Sequence, residues 1–313
     1  MRTVVVNVFF LLALAWACPA AAQPATIDGA ALLRDLETLA ADGMEGRLVG
    51  TPGSARARAY IVKRFKEAGI KPLGASYEHP FKFTGRGDQG ERAGVNILGV
   101  VRGRRSPDRY IVVTAHYDHL GVRNGQVFNG ADDNASGVAA LLAVAAQLSA
   151  SPADNSVLFA AFDAEEAGLR GARAFVASPP VPLASIALNV NLDMVARDAA
   201  NVLFASGTSH YPFLKDYLAN VTRPPVVLKF GHDVAGAKED DWTRQSDHFP
   251  FHEAKIPYVY FGVEDEAQHH KATDDVETVT KEFFVGVANT ILAAVRALDA
   301  NLDAIATHRA AAR

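Results

Sequence analysis

Two neighbouring stretches, SGVAALLAVAAQLSA at 136–150 and SVLFAAF at 156–162, are almost free of polar side chains. The first has the length of a helix and the second that of a strand. A strand that is apolar at every position has no face to offer water. It reads as one covered on both sides, as in parallel sheets whose crossover helices pack on both faces. The rest of the chain fits that demand. Helices read at 25–40, 55–68, 168–178, 211–221 and 281–300 alternate with strands read at 94–103, 109–117, 186–195, 201–207 and 256–262. Ser54 can cap the second helix, whose Ala57, Ile61, Phe65 and Ala68 recur at helical spacing, and Gly69 and Pro72 end it. Phe284, Val287, Ile291, Val295 and Leu298 form the core stripe of the last helix. The stretch 231–248 shows little periodicity. The fold class expected is α/β, a three-layer sandwich with a central mixed, mostly parallel sheet flanked by helices.

The ends of the chain read differently. Residues 1–22 combine Arg2, an apolar run through about Trp16 and a small-residue AAA before Gln23. This is the layout of a secretory signal peptide, and cleavage is expected after Ala22. It points to an exported protein, periplasmic or extracellular, with a lipid anchor on Cys18 as the minor alternative. Cys18 is the only cysteine, so the processed chain would have neither disulfides nor thiolate ligands. No later apolar segment is expected to reach the length of a transmembrane helix. With no repeat and no Pro- or Ser-rich linker, residues 23–305 read as one domain, and 306–313 as a loose tail. The net charge of −4, with Lys and Arg spread evenly, shows no nucleic-acid footprint.

The polar residues gather where the strands end. YIVVTA runs into HYDH, SVLFAAF into DAEE, IALNVN into LDM, and IPYVYFG is followed by VEDEAQHHKATDD; NGADDNASG stands directly before a helix. In open α/β sheets ligands bind beyond the carboxyl ends of the strands. One such cluster alone reads as caps and surface histidines, but five on one rim read as a site. Histidines and carboxylates without cysteine suit zinc with nitrogen and oxygen ligands, whereas calcium or magnesium favours oxygen alone. The plausible ligands are His116, Asp133, Glu166, Asp193 and His270. A bridging Asp133 would give each of two zinc ions one histidine, one terminal carboxylate and one shared oxygen, with a water or hydroxide between the ions. Asp118, two residues beyond His116, is placed to accept a proton from the His116 ring. Two adjacent glutamates then make sense: Glu166 faces a metal, and Glu165 faces the water and moves its proton.

The ordered series HYDHLG, GADDNASG, FDAEEAGLRG, NLDM, SDHFPF and HHKATDD resembles the co-catalytic two-zinc aminopeptidases, relatives of glutamate carboxypeptidase II and glutaminyl cyclase. The resemblance runs from about residue 39 to the final helix. It implies the zinc-peptidase, phosphorylase/hydrolase-like scaffold and a secreted metallo-aminopeptidase that binds two Zn2+ and hydrolyses N-terminal residues from peptides. It implies His116 and Asp193 on one zinc, Glu166 and His270 on the other, Asp133 on both, and Glu165 as general base. Asp133 is preferred to Asp132 because it precedes NASG, and His270 to His269 because of the His-x-x-x-Asp spacing to Asp274. Two positions depart from the family pattern. Ala164 stands where many members have Gly, and His269 where many have a Tyr whose hydroxyl helps hold the oxyanion. His269 is thus a candidate oxyanion contact, and Asp247, like Asp193, a candidate contact for the free α-amine of the substrate. The alternatives on the same scaffold are a single-zinc cyclase, a metallo-carboxypeptidase and a non-catalytic binding ectodomain. The substrate expected is the N-terminus of a peptide or protein, with no nucleic acid and no stable membrane association.

Overall fold

The computed structural model describes residues 26–85, 90–237, 240–265 and 267–311; the expected signal peptide, with Cys18, lies outside them. The strands are β1 Lys71–Pro72, β2 Glu78–Thr84, β3 Glu91–Val101, β4 Ser106–His116, β5 Gly121–Arg123, β6 Gln126–Phe128, β7 Asn155–Phe162, β8 Ile186–Leu192, β9 Val202–Ser206, β10 Val227–Phe230 and β11 Tyr258–Gly262. The helices are α1 Gly29–Leu39, α2 Pro52–Glu67, α3 Gly137–Ala150, α4 Arg170–Ala177, α5 Leu214–Leu218, α6 His248–Glu253, α7 Lys281–Ala300 and α8 Leu302–Ala311.

Nine strands form one mixed sheet in the order β1-β3-β7-β4-β8-β11-β9-β10, with β2 paired to β3, while β5 and β6 make a separate hairpin. The four central strands, β7, β4, β8 and β11, run parallel to one another. Their carboxyl ends therefore open on one edge of the sheet. Strands β3, β1 and β2 join antiparallel on one side, and β11 pairs antiparallel with β9 on the other. Every residue of β7 and β8 is buried, as a strand covered on both faces must be. The polar turn at 102–108 does not make β3 and β4 neighbours, because β7 is inserted between them.

One face of the sheet meets α1, α2, α3 and α7 in a large apolar core that includes Leu36, Ile61, Phe65, Leu141, Phe283 and Ile291. The other face meets α4 and α6 through Phe162, Phe175 and Phe251. The alanines of α3 let that helix sit close to the sheet, and Val138 to Ala140 lose all solvent contact. The second helix starts earlier than Ser54 suggests: Thr51 caps it, accepting from the Ser54 backbone N–H, with Pro52 in the first turn.

Two expectations change. Helix α7 is long and apolar enough to cross a membrane, contrary to the expectation that no later segment would be, yet two thirds of that stretch is buried within the fold. The residues from 306 onward are no loose tail as far as Ala311, because they belong to α8. Arg309 is only 6% exposed. Its guanidinium donates to the carbonyls of Lys255 at 3.1 Å, Leu183 at 3.3 Å and Ile186, which anchors α8 beside the start of β8. A short sequence of small residues hid this, because the anchor is a polar one.

Candidate active site

Four strand ends and one helix start converge. Strand β4 delivers His116, β7 is followed by Glu165 and Glu166, β8 by Asp193 and β11 by the segment holding His269 and His270; Asp133 sits in the turn just before α3. The Asp133 carboxylate is the hub. Its Oδ1 lies 3.4 Å from His116 Nε2, and its Oδ2 lies 3.4 Å from His270 Nε2. His116 Nε2 is also 3.2 Å from Asp193 Oδ1, and His270 Nε2 is 3.1 Å from Glu166 Oε2. The five residues expected as ligands thus fall into two triads that share Asp133, one oxygen facing each. Asp132 points away: its Oδ1 accepts the Ala196 backbone N–H at 2.7 Å. His269 is peripheral, 3.8 Å from Asp133 Oδ2, with its ring packed on that of His270.

These spacings test the donor set. Two atoms each about 2.0–2.1 Å from one tetrahedral zinc stand roughly 3.3 Å apart. Of the six separations within the two triads, the four between a histidine and a carboxylate, 3.1 to 3.4 Å, match that edge. Imidazole and carboxylate donors of this kind suit zinc, and the residues present fit it.

The surroundings hold the hub rigidly. Asp274 Oδ2 accepts the backbone N–H of Asp133 at 3.0 Å, and its Oδ1 accepts that of Asp132 at 3.0 Å. Arg197 in turn clamps Asp274, donating through Nη2 at 2.6 Å. On the other side of the site, Ser246 donates to Asp193 Oδ2 at 2.7 Å. Asp118 behaves differently from the expectation. His116 Nδ1 is nearest the Asp118 backbone carbonyl, at 3.1 Å, and 3.7 Å from its carboxylate. That carboxylate instead accepts the Glu165 backbone N–H at 3.0 Å, so it orients the glutamate pair as well. Ala164, which precedes the pair, adopts φ 59°, a conformation that suits the glycine of related motifs better.

Two residues that sequence reasoning left aside belong to the site. Arg47, from the Gly-rich segment 42–54, is wholly buried. It donates to four carbonyls: Leu39 at 2.6 Å, Tyr117 at 2.8 Å, Asn129 at 2.6 Å and Gly130 at 2.9 Å. It ties the HYDH loop to the NGADD loop and sets a cation behind the acids. Its only sequence signal was an arginine between glycines. His119, the last residue of HYDH, has its Nδ1 2.8 Å from Glu166 Oε1. Its signal was its place in the same cluster as His116.

The electrostatics follow from crowding. Burial pulls Arg47 down to about 10, partly offset by Asp133, Asp274, Asp118 and Glu166, so it stays a cation at neutral pH. Hydrogen bonds that the His270 ring donates to the carboxylates of Asp133 and Glu166 push it up to about 10. Burial would depress His116, but Asp193 and Glu165 outweigh it and hold the imidazole well above its usual range. Burial would raise Glu166, but His119 and His270 win and keep it below the carboxylate range. Glu165 moves the other way: burial, Asp247, Glu166 and Asp193 push it well above that range against the pull of His116. Asp247 is fully buried, neither of its oxygens has a hydrogen-bond partner among the described residues, and burial pushes it up to about 8. Buried acids whose proton affinities are displaced in opposite directions cluster at functional sites.

With this geometry established, comparison with known proteins is informative. Residues 96–295, well over half of the chain, match the family model described as Peptidase family M28. Aminopeptidase YwaD of Bacillus subtilis is 32% identical over 214 residues, which is 64% of this chain and 44% of that protein. The chain therefore spans less than half the length of this curated relative. Among solved structures, a zinc aminopeptidase from Bacillus subtilis, BSAP, superposes with TM-score 0.68 at 18% identity, covering 87% of this chain and 96% of that one. The glutaminyl cyclase of Fimbriiglobus ruber superposes with TM-score 0.72 at 23% identity, covering 90% and 99%. These likenesses establish the shared α/β fold.

Proposed function

Because the chain belongs to peptidase family M28, we propose that it is a zinc metallo-aminopeptidase that removes N-terminal residues from peptides. The observation that supports this most directly is the Asp133 carboxylate, with one oxygen toward His116 and the other toward His270. That arrangement suits two ions with His116, Asp133 and Asp193 around one and Asp133, Glu166 and His270 around the other. When bound, zinc supplies Lewis acidity that polarises the scissile carbonyl and lowers the pKa of water toward neutrality.

The remaining steps fall to the chain's own groups. Glu165 takes a proton from the attacking water and returns it to the leaving amine, a task that suits a carboxyl whose proton affinity is raised. Asp118 fixes the Glu165 backbone so that the neighbouring side chains diverge. The buried, unpartnered carboxyl of Asp247 offers acceptor oxygens for the free α-ammonium of a substrate, whose positive charge would favour its ionised form, together with Asp193. His269, half exposed at the edge of the site, is placed to donate an N–H toward a developing oxyanion. The N-terminal 22 residues, read as a signal peptide, make the protein an exported one, acting on peptide or protein N-termini outside the cytoplasm.

The test is Glu165→Gln. Metal analysis should return two zinc ions per chain for parent and variant alike. Turnover of amino-acid p-nitroanilides should fall by about 10²–10⁴-fold, the usual worth of a positioned general base. Near-parental turnover would remove Glu165 from the mechanism. One zinc per chain, together with pyroglutamate formation from N-terminal glutamine, would replace the peptidase reading with a cyclase.

A further inference from the structure

We infer that His119 is a positioning residue for Glu166, holding one carboxylate oxygen so that the other is presented to the second metal position beside His270. The inference rests on the two-metal reading above and adds a residue to it. His119 Nδ1 lies 2.8 Å from Glu166 Oε1, while Glu166 Oε2 faces His270 Nε2 at 3.1 Å. The two oxygens of one carboxylate are thus divided between two imidazoles. The 2.8 Å separation is that of an N–H donating to a carboxylate. It is shorter than the roughly 3.3 Å expected between two atoms bound to one tetrahedral zinc, a spacing the other four contacts do show. From Asp133 Oδ2, the same nitrogen is 3.7 Å away. His119, Asp133 and Glu166 also lie close enough together to share a metal, and it is the short 2.8 Å contact that favours a hydrogen-bond donor to a ligand over a ligand.

The ring has little freedom to do anything else. His119 is fully buried, and its Nε2 has no hydrogen-bond partner among the described residues. A proton on Nδ1 is consistent with this, since it is used by Glu166 and leaves only a lone pair on the unpartnered nitrogen. The ring lies against Gly130, at φ +57°, where an added Cβ would come within 2.5 Å of it. Gly130 is also one of the carbonyls held by Arg47. The ring is wedged between a backbone that only glycine permits and the carboxylate it serves. Groups that orient a metal ligand through its outer atoms are typically worth one to two orders of magnitude in metal affinity.

The test uses the full chain, stripped of metal and titrated with zinc against a competing chromophoric chelator, with parent, His119→Ala and His119→Asn compared. The amide N–H of asparagine can occupy the place of the imidazole Nδ1–H, whereas asparagine is a poor zinc ligand. In His119→Ala, one of the two zinc affinities should fall by about 10–100-fold while the other is kept, and His119→Asn should recover to within about threefold of the parent. Circular dichroism and thermal unfolding of the zinc-loaded proteins separate this from misfolding. Parental affinity for both ions in His119→Ala would overturn the inference. So would His119→Asn as weak as alanine with its fold intact, since the ring would then be a direct ligand. If the parent holds one zinc only, the two-metal reading fails. The inference then stands if His119→Ala weakens that ion with asparagine restoring it, and falls if it does not.

Discussion

At the scale of single residues, the site is an exercise in balancing buried charge. Arg47 is the clearest case, because its partners are four carbonyls rather than a carboxylate. Removing it strands those carbonyls and takes away a buried cation that interacts with Asp133 and Asp274. Arg47→Met should destabilise the protein by about 3–5 kcal/mol in urea unfolding, the scale for stripping a buried charged partner. Arg47→Lys, with three donors and no fork, should recover only part of that. The histidines add a pH signature in the metal-free protein. His270 rises from an ordinary 6.5 to about 10 on folding. A raised pKa contributes stability in full below 6.5 and loses it as pH climbs through about 10. Unfolding midpoints of the metal-free chain should therefore decline from neutral pH toward pH 10, and zinc uptake at pH 7.5 should release protons. Calorimetric zinc titrations in buffers of different ionisation enthalpy measure that release; a heat independent of buffer would contradict it.

At the scale of elements, the apolar strands and the alanine-rich helix told most of the story, since β7, β8 and α3 are buried where their composition demanded. The expected ligands were legible for a related reason. All but His270, which lies well beyond the end of β11, stand within a few residues of a strand end or helix start, a place that an apolar-to-polar switch marks plainly. What composition could not reveal were polar anchors between distant segments. Arg47 lies in a loop with no periodicity, and its four partners are backbone atoms, which leave no trace in residue type. Arg309 sits in an alanine-rich tail for which a helix of marginal amphipathicity and a disordered end look alike. Its bonds to Lys255, Leu183 and Ile186 join α8 to the start of β8, the strand that delivers Asp193. Arg309→Ala should cost about 1–3 kcal/mol in denaturant unfolding, with carbonyls left unsatisfied. An unchanged midpoint would show α8 to be dispensable.

At the scale of the whole molecule, the structure concentrates Asp133, Glu166, Asp193, Glu165, Asp118 and Asp247 at one edge of the sheet, with Arg47 as the buried cation behind them. Ions bound only by the folded chain stabilise it by mass action. Chelation should therefore lower the thermal midpoint by several degrees, with recovery on adding zinc and not on adding magnesium, which prefers all-oxygen shells. An equal midpoint with and without chelator would argue against a metal centre formed by these acids. Arg47 has a broader consequence. It lies well upstream of residues 96–295, the stretch that matches the family model, yet it braces two loops inside that stretch. A trimmed version starting at residue 96 would retain every imidazole and carboxylate proposed to act on substrate. It would nonetheless lack the clasp that lets them coexist, so the shortest working unit of this protein begins before its most recognisable part.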